Sequence, residues 1–391
     1  MPKTAAGPLS GLTVIDLTRV LAGPYCTLIL ADLGARVIKI ERPGRGDDAR
    51  QIGPFVAGQS VYFSSLNRGK QSLALDLKAE DDRQTLLGLL ADADVLVENC
   101  RAGTMERLGL GWEGLHARFP RLIYAATSGF GHTGPYADRP AYDMVVQAMG
   151  GIMSLTGEEG GPPTRVGTSI GDLAAGLFTA IGVTTALYHR ERTGEGLQID
   201  VSMLDSQVAL LENAIARYGA TGEVPGPIGN RHPSITPFGS FATADEPLVI
   251  AAGNDALFER LCTEIGREDL AANADFATNP LRTQNHAALK RELETTLVGA
   301  PRDAWLERFR RADIPAGPVH DVADVLDNPQ VKARNMIVES RDPAGGTLHM
   351  AGNPIKLSGF DDPGSRAPAP ALDADREALL GPKTLDDDPA D

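Results

Sequence analysis

Residues 13–40, TVIDLTRVLAGPYCTLILADLGARVIKI, decide the fold. Residues 13–17 are an apolar run of strand length, and residues 18–24 form a loop. Pro24 suits the first turn of a helix, where its missing N–H costs nothing. Residues 25–33 are apolar enough for a packed helix, and Gly34 supplies its C-terminal stop. Residues 37–40 return as a strand. So compact a strand–helix–strand unit implies a parallel pair with a right-handed crossover. The alternation continues with strand 72–77, helix 80–90, strand 95–98, a short helix 112–118 and strand 122–126. This predicts an α/β protein with a Rossmann-like open sheet, binding ligands beyond the carboxyl ends of its strands.

The first strand–helix loop carries Ala22-Gly23-Pro24, not GxGxxG, and the chain has no GxxxxGK[ST] phosphate loop. NAD, FAD and P-loop nucleotides are therefore not expected. Basic residues do collect at strand ends: Arg42, Arg45, Arg68, Lys70, Lys78, Arg101 and Arg107. They read either as phosphate-holding cations or as ordinary solvated side chains. The chain has 391 residues and a net charge of −15. That length suggests roughly two or three domains of about 150 residues. The charge argues against nonspecific binding to nucleic acid or an anionic membrane. Cys26, Cys100 and Cys262 are scattered, without a CxxC or Cys/His cluster, so neither a disulfide framework nor a zinc site is expected. No leader stands out, and no segment reads as the ~20 apolar residues of a membrane span. A cytoplasmic protein is the expectation.

The chemistry centres on residues 167–176, GTSIGDLAAG. Asp172 falls in the first turn of a helix carrying Leu173, Leu177, Phe178, Ile181, Val183 and Leu187. That helix is apolar almost all round, so burial is expected. Its N-terminus favours an ionised carboxylate. Asp172 reads either as a helix cap or as a group facing a ligand, with Gly171 and Gly176 beside it. Upstream, residues 127–136 (TSGFGHTGPY) form a Gly-rich loop able to approach a ligand. His132 within it reads as a surface residue more readily than a catalytic one. Asp143, in RPAYD (139–143), is a second carboxylate, either a cap or functional. Strand 198–203 and helix 207–218 follow.

In the second half, residues 238–243 and 248–252 alternate as a hairpin around ADEP (244–247). Amphipathic helices are expected at 255–265, 287–297 and 303–311, and short ones at 322–326 and 329–334. A second hairpin pairs 336–339 with 347–350 around 344–346. From Asp361 the Pro, Ala and Asp content predicts a mobile tail ending LDDDPAD. The expected division is a discontinuous large domain (1–220 and 330–391) and a smaller α/β domain with linkers (221–329).

Several segments together carry a resemblance. They are DLTRVLAGPYCTLILADLGARVIKIERPGRGDDAR, LNRGKQSLALDLK, VENCRAGTMERLGL, SGFGHTGPYADRPAYDMVVQAMGGIMSLTG, SIGDLAAGLFTAIGVTTAL, RTGEGLQIDVSMLDSQ and IPAGPVHDVADVLDNPQVKAR. The chain resembles the class III CoA-transferases (CaiB/BaiF family) from about residue 9 to about 359. The resemblance implies an interlocked homodimer. It implies that Asp172 is a nucleophile that forms an anhydride with the donor acyl group and then an aspartyl-CoA thioester. A carboxylate ionised near pH 7 would need no general base. No cofactor or metal is implied; a CoA thioester and a small carboxylic acid bind as substrates, and neither nucleic acid nor membrane is a partner. CoA contacts are implied for Val20, Leu21 and Ala22, for Arg42, for Leu75 to Lys78, for Asn99, Cys100 and Arg101, and for Arg107. Tyr142 and Asp143 should border the acyl end. Leu21 stands where formyl-CoA-type members carry Gln, which argues against an oxalate-like substrate. Tyr142 stands where the family's α-methylacyl-CoA racemases carry His, which ranks a transferase above a racemase or epimerase. A non-catalytic acyl-CoA-binding protein is a third reading. GNRHPSITPF (229–238) is similar to members that use succinyl-CoA and four- to six-carbon dicarboxylic acids. There Arg231 or His232 would hold the far carboxylate, unless Arg231 is a solvated turn residue.

Overall fold

The computed structural model of the chain describes residues 7–341 and 346–381. Its largest sheet has six strands: β1 (Thr13–Asp16), β2 (Arg36–Glu41), β3 (Gln71–Ala74), β4 (Val95–Glu98), β5 (Ile123–Ser128) and β6 (Gln198–Ser202). They lie in the order 3-2-1-4-5-6, and every neighbouring pair is parallel. That is the doubly wound dinucleotide-fold order, with its reversal point between β1 and β4. A parallel sheet is covered on both faces, so its strands read as near-continuous apolar runs. One face presents Ile15, Ile38, Leu73, Leu96 and Tyr124 to Leu86 and Leu90 of the helix Glu80–Leu90 and to Leu115. The other presents Val14, Val37, Val97, Ile123 and Ala125. It is covered by Cys26 and Leu30 of the first helix (Ala22–Asp32) and by Ala180, Val183 and Leu187 of the long helix (Ile170–Thr193).

The chain divides into two units. The first is Met1–Ile152, Arg165–Ala220 and Pro329–Asp391; the second is Met153–Thr164 and Thr221–Asn328. The excursion Met153–Thr164 carries no composition signal of its own. The second unit holds a three-stranded antiparallel sheet of Phe238–Phe241, Leu248–Ala251 and Ala316–Pro318. Leu248, Ile250, Phe258, Leu261, Leu289, Leu293 and Phe309 form its core. Arg282 is wholly buried there; it donates to Asp255 Oδ1 (2.6 Å) and to the carbonyls of Thr236 (2.8 Å) and Phe276 (3.0 Å).

Four expectations are corrected. The long helix is not buried all round: Leu177, Phe178, Ile181 and Tyr188 are exposed, Ile181 by 58%. One side packs on the sheet and the first helix, and these side chains on the other have no covering neighbour among the described residues. Contrary to the expectation that no segment reads as a membrane span, it is also long and apolar enough to cross a membrane by length and composition, although about half of its apolar window is buried. Helix 207–218 is two helices, Met203–Ala209 and Ala214–Thr221, broken where Glu212 takes a positive φ of 53°. The chain after Asp361 is ordered structure as far as residue 381. Ser365–Arg366 pairs with Ile337–Arg341. Asp373 Oδ1 accepts from Ala74 N and Asp375 Oδ2 from Ser72 N, both at 2.8 Å, covering the free edge of β3. The hairpin Ile337–Arg341 with Thr347–Ala351 is present. Residues 344 and 345 of its turn and the terminal LDDDPAD lie outside the described residues.

Candidate active site

The site is built on the reversal point of the sheet. Beyond the carboxyl ends of β1 and β4 run two loops, and Asn99 ties them together. Its Nδ2 donates to Arg19 O (2.7 Å) and its Oδ1 accepts from Arg19 N (2.9 Å). Beneath them lies a buried charged network. Lys70 Nζ donates to Asp16 Oδ2 (3.0 Å), Thr27 Oγ1 (2.8 Å) and Asn67 Oδ1 (2.9 Å). Burial alone would raise the Asp16 pKa, but Lys39 and Lys70 hold it well below the usual carboxylate range. Burial in turn pushes the Lys70 ammonium down to about 8.

The first helix begins at Ala22 with Leu21 as its N-cap, which offers no side-chain acceptor. Its first-turn N–H groups are thus left for an outside partner. The long helix also lacks a cap from its own N-cap residue, Ser169. Asp143 supplies one: its Oδ1 accepts from Gly171 N at 2.9 Å, and its Oδ2 accepts from Gln147 Nε2 at 2.8 Å. The glycines near Asp172 serve packing. A Cβ on Gly171 would lie 2.7 Å from Val146 Cγ2, and one on Gly176 would lie 2.6 Å from Ala22 O. Gly176 therefore lets the two helices cross closely enough to bring Asp172 to the N-terminus of the first.

Asp172 lines a cleft of about 220 Å³ together with Val20, Leu21, Ala22, Asn99, Cys100, Arg101 and Tyr142. A second cleft, of about 860 Å³, is lined by Arg42, Leu75, Lys78, Cys100 and Arg107. Arg19 and Cys100 stand in both walls, so the two clefts adjoin. The fold thus gathers every expected CoA-contact position of the first unit except Asp143. Asp143 lies behind the cleft, 8% exposed, as the outside cap just described. The cation group divides. Arg42, Lys78 and Arg107 face the larger cleft without an ion-pair partner among the described residues. Arg45 pairs with Asp48 (3.3 Å), and Arg68 and Lys70 are buried against Asp32 (2.7 Å) and Asp16 (3.0 Å). In the second unit, Arg231 Nη2 is 3.4 Å from Glu159 Oε1, and His232 Nδ1 accepts from Ser234 N at 3.0 Å. The expected clamp therefore has a carboxylate partner of its own. His132 Nε2 lies 3.6 Å from Glu98 Oε1, outside the Asp172 cleft.

The charge state of Asp172 differs from the sequence expectation. Burial pushes its pKa up to about 7 and the neighbouring Asp143 adds repulsion, while the Ala22 N–H opposes the rise. Desolvation and a like charge outweigh the helix terminus, so the apo carboxyl is not fully ionised at neutral pH. Three residues were missed from sequence. The Tyr62 phenol is pushed up to about 12 by burial and by the charges of Asp172, Asp47 and Asp143. Ser128, at the end of β5, lines the cleft with a buried hydroxyl that has no hydrogen-bond partner among the described residues. Arg19, whose Nη1 lies 3.1 Å from Asp48 Oδ2, joins the two clefts. Lying far apart in the chain, they give no local motif; Ser128, in the Gly-rich stretch 127–136, and Arg19, in the first loop, sit within segments already singled out, and Tyr62 does not.

A carboxyl group at the switch point of an open α/β sheet, beside a cleft with unpaired cations, defines an enzyme-like site for an anionic ligand. Residues 9–376 match the model of CoA-transferase family III, and the chain belongs to that family. It is 52% identical to the acetyl-CoA:oxalate CoA-transferase of Acetobacter aceti, over 97% of this chain and 96% of that one. It is 43% identical to the succinyl-CoA:mesaconate CoA-transferase of Haloarcula hispanica, over 96% of each. Among solved structures, a CaiB/BaiF family protein from Brucella suis superposes with a TM-score of 0.83 at 41% identity, covering 96% of this chain and 98% of that one. The protein is an enzyme of this family, a CoA-transferase.

Proposed function

We propose that the enzyme moves CoA from a short acyl-CoA to a small dicarboxylic acid, with Asp172 as the covalent carrier. The Asp172 carboxylate attacks the thioester carbonyl carbon, the C–S bond breaks, and CoA leaves as thiolate. The thiolate attacks the aspartyl carbonyl of the mixed anhydride and releases the donor acid, leaving an aspartyl-CoA thioester. The acceptor carboxylate attacks that thioester, giving a second mixed anhydride and freeing the thiolate, which attacks the acceptor acyl carbon, breaks the anhydride C–O bond and returns the Asp172 carboxylate. Each step exchanges one carboxyl derivative for another, with no net proton and no oxidant. The N–H groups at the start of the first helix are suited to the oxyanions formed on the way. Arg42, Lys78 and Arg107 would hold the CoA phosphates by charge-assisted bonds. The observation that carries the reading is that Asp172 shares its cleft with the residues 20–22 and 99–101 loops.

The acceptor class rests on the relatives, which span oxalate, mesaconate and glutarate and use acetyl-CoA or succinyl-CoA. The oxalate-using relative, at 52% identity, reopens the acceptor that Leu21 had argued against. The test is a panel in which acetyl-CoA and succinyl-CoA are each offered with oxalate, mesaconate, glutarate and butyrate. The highest kcat/KM should fall on a dicarboxylate; a preference for butyrate would remove the acceptor assignment. We also propose a homodimer. The uncovered apolar side of the long helix and exposed Ile215 and Tyr218 support it.

A further inference from the structure

Val20 is a β-branched residue at φ 67°, in the loop that lines the Asp172 cleft. A left-handed conformation there is strained and persists only where the surroundings over-determine it. The structure shows what does so. Lys39 and Asp47 form a fully buried ion pair, Nζ to Oδ2 at 2.9 Å. Lys39 Nζ also donates to Thr18 O at 2.8 Å. Asp47 Oδ1 accepts from Val20 N at 3.0 Å and from Ala49 N at 2.9 Å, and Asp47 N donates to Glu41 Oε2 at 2.9 Å. The pair thus holds the loop at two points, residues 18 and 20. Two residues further on, the Ala22 N–H faces the Asp172 carboxyl.

A buried ion pair is a poor way to add stability, because desolvation cancels most of the attraction. It is a good way to fix a geometry. We propose that Lys39 and Asp47 are positioning residues that clamp the loop 18–22 in its left-handed turn and so aim the Ala22 N–H at Asp172. Neither side chain lines the Asp172 cleft, although Asp47 stands in the wall of the larger one, so toward Asp172 they act through the backbone. The assignment rests on Asp172 being the reacting group. The other groups facing Asp172 are Asp143 and, by its charge coupling, Tyr62.

The test uses the full chain carrying K39M together with D47L. The double change removes both charges at once and leaves no orphan ion in the interior. A second variant, V20G, relaxes the turn without altering any charge. The primary readout is the titration midpoint of the Asp172 carboxyl, followed by NMR on protein labelled at the aspartate γ-carbon and assigned by difference from D172N. The secondary readout is kcat for transfer. With the Ala22 N–H no longer aimed at it, the carboxyl should titrate at least about half a pH unit higher in K39M/D47L. The kcat should fall by about tenfold or more. V20G should shift both in the same direction by less, and it decides the matter if the double variant does not fold. A folded variant with the parental midpoint overturns the proposal, whatever its kcat. The titration needs no turnover, so it can be read even if the parent protein forms no covalent adduct, the result that would instead remove the transferase mechanism.

Discussion

Asp172 combines two properties that pull against each other. The reaction needs its anion, yet burial and Asp143 favour the acid form and set the pKa at about 7. Formation of the covalent adduct should therefore rise with pH through about 7 and level off above it. Stability should move the opposite way. The folded-state pKa lies above the unfolded value of 3.8. The stabilising contribution is thus complete below about pH 4 and is lost as pH rises through about 7. D172N removes that loss. Thermal unfolding should show it more stable than the parent at pH 8, by on the order of 2–4 kcal/mol, with little difference at pH 4. Equal stability at pH 8 would mean that the carboxyl is not strained in the folded state. Much of this residue was legible in the sequence: its place in the first turn and the glycines beside it. Its pKa was not, because Asp143 lies 29 positions away and burial has no sequence pattern.

At the level of elements, the sequence carried the strand–helix alternation well because parallel strands are continuous apolar runs bounded by turns. It named Gly176 only as a neighbour of Asp172; what requires a glycine there is the carbonyl of Ala22 in the first helix, which a Cβ would meet at 2.6 Å. Hydrophobic periodicity also ran straight through Glu212, whose positive φ breaks the helix for tertiary reasons. After residue 361, composition predicted disorder, whereas Asp373 and Asp375 act locally as acceptors for the edge of β3. These bonds to a sheet edge, with the pairing of Ser365–Arg366, tie down a segment whose composition is that of a linker. The clamp formed by Lys39 and Asp47 was invisible for a similar reason. Each reads as an ordinary charged residue until β2 and the turn after it bring them together beneath the first loop.

For the molecule as a whole, the first unit leaves Leu177, Ile181 and Tyr188 of the long helix uncovered, with Ile215 and Tyr218 exposed on the helix Ala214–Thr221. Side chains of this size exposed along a helix that is otherwise packed are expected to meet a second copy. Sedimentation velocity should give a species of twice the 41.3 kDa chain mass; a monomer at micromolar concentration would contradict this. The fold class was legible because it follows from the order of elements. The relation of the chain to its acceptor acid was not, since Arg231, which the sequence offered as the clamp, is paired with Glu159. The central claim is that Asp172 becomes acylated. The most direct measurement is to incubate the enzyme with acetyl-CoA or succinyl-CoA, quench with hydroxylamine, and map the modified residue by peptide mass spectrometry. The account predicts a hydroxamate on Asp172 that forms only with the thioester and is absent from D172A. Transfer proceeding at full rate with Asp172 unmodified, or a folded D172A retaining the parental rate, would contradict it.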